Sequence, residues 1–279
     1  MVDGRQGAAS GGGVALRAAH SLGVSIVLYK AAIPEIAPLL TALQNQGAAK
    51  IFVVDNSPPG FAGKNDLREF PAVAYEATGR NLGYGRAHNI AIRRSAGVYK
   101  YHLICNPDIA LSEGVIGGMI AYMDQNPDVG LCMPKLVGTD GQMQYCCRRS
   151  PVVLDYLSQI VLPGSWGNRR RQLLEMRSCD YDKEMEVECL SGCFMLFRSE
   201  VLLRLGGFDE RFFLYFEDFD LSVRSQSLAR NVYIPFTHVV HGRQSQHKKS
   251  WRLKLVFASS AFRYFSKWGW FSRDGRAKS

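Results

Sequence analysis

Short apolar runs broken by polar or glycine-rich turns dominate the first half of this chain. The β-branched run from Val24 to Tyr29 predicts a buried strand, and Lys50-Ile51-Phe52-Val53-Val54 predicts a second. Between them Ile36, Leu39, Leu40 and Leu43 recur at helical spacing, which predicts a helix over 33–45 with Pro34 in its first turn. Strand, helix, strand and polar turn is the opening of a parallel α/β sheet. Val73-Ala74-Tyr75 reads as a short third strand, followed by a Gly-rich turn over 80–89 and a helix near 89–96. Tyr101 to Cys105 is another buried strand, ending at Asn106-Pro107-Asp108. A helix near 113–125 and a strand near 129–134 follow.

The second half is less periodic. Residues 150–188 read as a helical or loop excursion, after which apolar character returns over 188–198. Gly206-Gly207 opens a turn into an aromatic cluster, Glu217 to Leu228 predicts a helix that starts on acids, and Val232-Tyr233-Ile234 predicts a strand leading to His238 and His241. The expected organisation is a flexible tail over 1–22, one α/β domain over 23–242 with a mostly parallel sheet, and a basic aromatic segment over 243–279.

Composition changes this picture in two places. The 279 residues are 47% hydrophobic and 21% charged, which excludes a disordered or collagen-like chain. The net charge of +9 lies wholly in 243–279, where ten Lys or Arg stand against Asp274 alone. A field confined to one end does not describe a nucleic-acid-binding surface, and no nucleic-acid partner is expected. Trp251, Leu253, Leu255, Phe257, Phe262, Phe265 and Trp268 interleave with those charges. Two readings stay open: a helix at an anionic membrane surface, or one packing its aromatic face on the domain. The seven cysteines include no Cys-x-x-Cys pair and predict reduced thiols, which suits a cytosolic compartment.

Candidate chemistry collects at the ends of strands. Asp55 and Asp108 both follow predicted parallel strands, where the ligand crevice of an open α/β sheet lies. The turn Asn81-x-Gly83-x-Gly85 falls on the same edge, but Gly-x-Gly-x-x-Gly, Walker A and Gly-x-Ser-x-Gly patterns are all missing. Asp108 on its Pro107 turn offers oxygen to a hard divalent ion. Glu217, Asp218 and Asp220 sit at a helix start beside Phe212, Phe213, Phe216 and Phe219, surroundings that raise carboxylate basicity and suit a general base. One of His238 and His241 is a candidate second metal ligand.

In their order, the runs Val53-Val54-Asp55-Asn56-Ser57, Asn81-x-Gly83-x-Gly85-x-x-x-Asn89, Asn106-Pro107-Asp108, Leu190-Ser191-Gly192-Cys193, Gly206-Gly207-Phe208-Asp209-Glu210 and Glu217-Asp218-x-Asp220 form a set. This set resembles the family 2 inverting glycosyltransferases of the glycosyltransferase-A fold. Within that family it is most similar to bacterial rhamnosyltransferase-like enzymes of O-antigen, capsule and exopolysaccharide assembly. The resemblance implies donor-binding roles for Asp55, Asn81, Gly83, Asn106 and Asp108. It implies Asp218 as catalytic base beside Glu217, with Asp220 in support. Metal contact falls to Asp108, since Asn106 replaces the first acid of the family's Asp-x-Asp motif, and to His241, with His238 as the register alternative. The implied cofactor is Mg2+ or Mn2+. The implied partners are a nucleotide-sugar donor, best dTDP-rhamnose, and a lipid-linked saccharide at the cytoplasmic membrane face. A UDP-hexose or UDP-N-acetylhexosamine donor, or an inactive sugar-nucleotide-binding module, is the alternative.

Overall fold

The computed structural model describes residues 22–60, 68–95, 97–161, 164–242 and 251–272. The expected tail over 1–21, and Arg243, Ser245, Lys248 and Lys249 of the basic segment, lie outside the described residues. Leu22, assigned from sequence to the tail, is already the first and fully buried residue of β1 (Leu22–Leu28). Helix α1 (Ile33–Asn45) begins where the Ala32 N–H donates to Glu35 Oε1 at 2.7 Å, and it buries Ile33, Ile36, Leu39, Leu40 and Leu43. Strands β2 (Lys50–Asp55), β3 (Val73–Ala77) and β4 (Tyr101–Cys105) complete the parallel half, and α2 (Tyr84–Ser95) crosses from β3 to β4. β1 lies between β2 and β4, so Asp55 and the Asn106-Pro107-Asp108 turn emerge on either side of its carboxyl end.

The rest of the sheet is mixed in direction. After β5 (Ile109–Leu111) and α3 (Val115–Gln125) come β6 (Val129–Gly138), β7 (Met143–Gln144) and β8 (Cys147–Arg148). The excursion predicted over 150–188 contains α4 (Val153–Val161), α5 (Ser165–Leu174) and β9 (Met185–Glu186). β10 (Cys189–Leu190) pairs with β8 in a small separate sheet. β11 (Phe194–Arg198) runs antiparallel between β4 and β6 and leads into α6 (Ser199–Leu205). α7 (Glu217–Ser225) precedes β12 (Arg230–His241), which is parallel to β6 and antiparallel to β5. The main-sheet order is β3-β2-β1-β4-β11-β6-β12-β5.

Three boundaries depart from the sequence pattern. α2 starts at Tyr84 rather than near Asn89, because Gly83 at φ +90° lets the chain enter the helix directly from the turn. β12 runs on through both histidines, since β6 extends to Gly138 as its partner. α7 stops at Ser225, after which successive turns lead to β12.

The basic aromatic segment forms α8 (Trp251–Trp268) and packs on the domain. Tyr264 and Phe265 are buried in a cluster with Phe212, Phe216 and Phe219. Asp220, assigned a supporting catalytic role from sequence, is the polar centre of this junction and is 0% exposed. It accepts from Arg224 Nε at 2.8 Å and Trp268 Nε1 at 2.8 Å, and pairs with Lys267 Nζ at 2.6 Å. Both carboxylate oxygens are committed to α7 and α8, so its role is to lock one helix to the other. Removing one partner of a buried ion pair costs about 3–5 kcal/mol. Asp220→Ala is therefore expected to lower the unfolding free energy in urea by about that amount; a loss below about 1 kcal/mol would mean that the junction is hydrated and weak.

Candidate active site

At the end of β2, Asp55 is buried, and its Oδ1 accepts the Ser57 N–H at 2.9 Å while its Oδ2 accepts the Tyr75 hydroxyl at 2.6 Å. The neighbouring Asn56 donates from Nδ2 to the Gly83 carbonyl at 2.9 Å and joins the β2 turn to the Gly-rich turn. Asn81 is exposed, and its Oδ1 accepts the Gly83 N–H at 2.9 Å. The glycines themselves serve close packing. A Cβ on Gly83 would collide with the Phe213 backbone, and one on Gly85 would lie 2.8 Å from Phe208 Cβ. Gly83 therefore packs the turn against the Phe213 loop, whose backbone fills its side-chain space. Asn89 also ties the fold together here, accepting the Phe208 N–H at 2.8 Å and donating to the Phe208 carbonyl at 2.9 Å.

Asp108 and His241 meet because β5 pairs with β12 in a register that sets His241 opposite Ile109. His241 Nε2 lies 3.4 Å from Asp108 Oδ1, an oxygen that is buried and has no hydrogen-bond partner. The other ring nitrogen, Nδ1, is 2.8 Å from Gln144 Oε1. Nδ1 must carry the proton of that bond, so in the neutral ring the Nε2 lone pair faces a carboxylate oxygen. Two acceptors turned toward each other without a donor are the pattern of a cation site. Among the described residues no group of three or more His, Cys, Asp or Glu is set to hold a metal ion, so this pair supplies at most part of a coordination sphere. His238 lies three residues earlier on the other face of β12 and is exposed, which removes it as the register alternative.

Tyr84 connects this pair to the acids of α7, a link that sequence reasoning missed although the residue lies inside a quoted motif. Its hydroxyl lies 3.0 Å from Asn106 Oδ1 and 2.7 Å from the Gly192 carbonyl. Gly192 in turn donates its N–H to Asp218 Oδ2 at 3.0 Å. The Asn106-Pro107-Asp108 turn and Asp218 are thereby fixed on the two sides of one tyrosine. Burial pushes the Tyr84 hydroxyl well above its ordinary pKa, with nearby thiols and the acids of α7 adding to the effect, so it acts as a neutral donor.

Glu217 and Asp218 form a coupled acidic pair. Burial, followed by the Asp218 charge, pushes the Glu217 carboxyl well above the usual range, and its buried Oε2 has no partner. Burial also raises Asp218, but the Gly192 and Phe219 N–H groups offset part of that rise. Asp218 consequently keeps the charge in preference to Glu217, and it is a carboxylate of raised basicity. Between the unfolded and the higher folded pKa of Glu217, the native state binds more protons than the unfolded one. Stability from this group therefore falls as pH rises above about 4.3. Glu217→Gln is expected to melt higher than the parent protein at about pH 8, with the difference closing near pH 4. Equal melting temperatures at the higher pH would place Glu217 in a hydrated setting.

Residues 24–206 match the family model described as glycosyl transferase family 2. The chain is 28% identical over 216 residues to the N-acetylglucosaminyl-diphospho-decaprenol L-rhamnosyltransferase of Mycobacterium tuberculosis, across 72% of this chain and 68% of that one. It is 27% identical over 230 residues to rhamnosyltransferase WbbL of Escherichia coli K12, across 78% of this chain and 82% of the other. Among solved structures, GalNAc-T7 with UDP, GalNAc and Mn2+ gives a TM-score of 0.62 at 14% identity, covering 88% of this chain. The match covers 47% of GalNAc-T7, so this chain spans about half of that one. A Pyrobaculum calidifontis mannosyltransferase, PcManGT, in complex with GDP-Man and Mn2+ gives 0.57 at 17% identity, covering 88% of this chain and 63% of that one. At such identities the likeness is one of fold, and that fold is glycosyltransferase-A. The family match runs from β1 through α6, across the strands that carry Asp55 and Asp108, and the chain belongs to glycosyl transferase family 2.

Proposed function

We propose that this protein is a metal-dependent inverting glycosyltransferase that moves L-rhamnose from dTDP-rhamnose to a lipid-linked saccharide during cell-surface polysaccharide synthesis. The observation that carries the proposal is the pairing of a basic carboxylate, Asp218, with a cation-ready pair, Asp108 and His241, through Tyr84. The rhamnosyl choice draws on the names of the Mycobacterium and Escherichia relatives. The lipid-linked acceptor draws on the first of those names.

Inversion needs an acceptor hydroxyl to attack the anomeric carbon from the face opposite the leaving group, and a base to take its proton. Asp218 fills that role: two backbone N–H groups orient its carboxylate, and half-burial keeps it basic. Glu217 beside it, raised further by burial and by the Asp218 charge, is the one of the two acids that takes up a proton first. Asp108 and His241 would hold Mg2+ or Mn2+, which offsets the charge of the leaving nucleoside diphosphate. Asp55 and Asn81 lie on the same edge and are the candidates for contact with the donor's nucleotide.

The test is a donor panel of dTDP-, UDP- and GDP-sugars, scored for nucleoside diphosphate release with a lipid-linked acceptor. Release from dTDP-rhamnose alone is expected; release from a UDP-hexose or UDP-N-acetylhexosamine would reassign the donor. In the same assay Asp218→Asn is expected to lose roughly 10²–10⁴-fold in turnover while still binding donor. Near-normal turnover by a folded Asp218→Asn protein would remove the base assignment.

Membrane docking at the cytoplasmic face belongs to the same proposal. No helix among the described residues is long and apolar enough to cross a membrane. The outward side of α8 exposes Trp251, Leu255 and Phe262, with Arg252 and Lys254 also exposed. Apolar rings beside cations suit an anionic lipid surface, where each basic residue contributes about 1 kcal/mol. Replacing Lys248, Lys249, Arg252 and Lys254 with Gln is expected to reduce co-sedimentation with phosphatidylglycerol-containing liposomes, most at low salt. Turnover on a short soluble acceptor is expected to change little. Unchanged liposome binding would leave α8 as a packing helix only.

A further inference from the structure

We propose that Gln144 is a positioning residue that sets the tautomer of His241 for metal binding; this rests on the metal reading above. Gln144 makes two contacts with one residue. Its Nε2 donates to the His241 backbone carbonyl at 3.1 Å, and its Oε1 lies 2.8 Å from His241 Nδ1. The first contact fixes which way the amide points: with Nε2 spent on a carbonyl, only the oxygen remains for the ring. A ring nitrogen facing an amide oxygen carries hydrogen, so the neutral imidazole is the Nδ1–H form. Its Nε2 lone pair is then presented to Asp108 Oδ1 at 3.4 Å.

The local sequence builds this arrangement. Asp140 and Gly141 turn β6 back on itself, with the Asp140 carboxylate accepting the Gln142 N–H at 3.0 Å and Gly141 at φ +75°. That turn sets Gln144 opposite Leu136 in the β6–β7 pairing. β12 runs on the other side of β6, with His241 opposite Gly138. Gly138 carries no side chain to stand in the way: a Cβ there would lie 2.5 Å from Asp140 Oδ1 and 3.3 Å from Gln144 Nε2, so the space it leaves is taken by these two side chains. The side chain of Gln144 can therefore pass over β6 and reach His241. A ligating histidine whose second nitrogen lacks such a partner can rotate, or present N–H to the cation instead of a lone pair.

Two measurements on the full chain test the proposal. In the metal-free protein, 15N histidine NMR followed upward in pH until the ring is neutral should show His241 as the Nδ1–H tautomer, its signals identified by their loss in His241→Gln. Gln144→Met should turn that signal into a tautomer mixture while the remaining histidine signals hold. Titration with Mn2+, alone and with dTDP, should give roughly 10–100-fold weaker binding for Gln144→Met, and none for Asp108→Ala. An Nε2–H tautomer in the unmodified protein overturns the proposal without any variant. If Asp108→Ala loses Mn2+ while Gln144→Met binds it as the parent does, the metal site stands and the role of Gln144 falls. If Asp108→Ala binds Mn2+ normally, the metal reading and this proposal fall together.

Discussion

The active site depends on two consecutive residues held in a conformation that neither favours. Tyr215 and Phe216 have φ of +71° and +67°, the left-handed region, immediately before the acids of α7. For side chains of this size that backbone costs about 1–2 kcal/mol per residue. Phe216 is held there by rings on three sides, Tyr156 of α4, Phe219 of α7, and Phe257, Tyr264 and Phe265 of α8. Burying one such ring contributes about 1.5–3 kcal/mol, enough to offset its strain. The preceding loop is gripped as well, since the Tyr84 N–H donates to the Phe213 carbonyl at 2.9 Å and Ser260 Oγ to the Leu214 carbonyl at 2.8 Å. The sharp reversal begins α7 on Glu217 and Asp218 beside Gly192.

The hydrogen bonding of the acids around this turn is left incomplete. A buried carboxylate without partners is destabilising, and a stable fold ordinarily satisfies it. Here Glu217 Oε2 and Asp108 Oδ1 both lack hydrogen-bond partners, whereas Asp220, two residues beyond Asp218, accepts from α7 and α8 together. Full satisfaction belongs to the acid that holds helices together. Incomplete satisfaction marks one oxygen each of Glu217 and Asp108, while Asp218 keeps both of its oxygens bonded to backbone N–H groups.

The contrast also accounts for what the sequence could reveal. Strand and helix periodicity was legible because β1, β2 and β4 are buried on both faces and α1 on one. Asp55 and Asp108 were legible as strand-end acids, since topology alone sets such residues on one edge. Asp220 was not separable from Asp218, because the difference lies in α8, whose Lys267 and Trp268 come more than forty residues later. The packing of Gly83 was hidden for the same reason: the surface that needs its missing side chain belongs to Phe213. Gln144 gave no local signal at all, as its role arises from the β6–β7–β12 register.

The two readings of α8 that the sequence left open are compatible, because they use different sides of one helix. Tyr264 and Phe265 face inward and hold the Phe216 turn, while Trp251, Leu255 and Phe262 stay exposed. Lys267, counted from sequence among the cations available to a surface, is instead bound to Asp209 at 3.0 Å and Asp220 at 2.6 Å. Arg263 donates to the Arg211 carbonyl at 2.8 Å. Among the described residues, the exposed cations left for an anionic surface are therefore Arg252 and Lys254 toward the start of α8, next to the exposed Trp251 and Leu255. A helix anchored along its inner side by Phe257, Tyr264 and Phe265 and open along its outer side couples whatever it docks against to the turn that carries Asp218, through packed rings and not through a flexible linker.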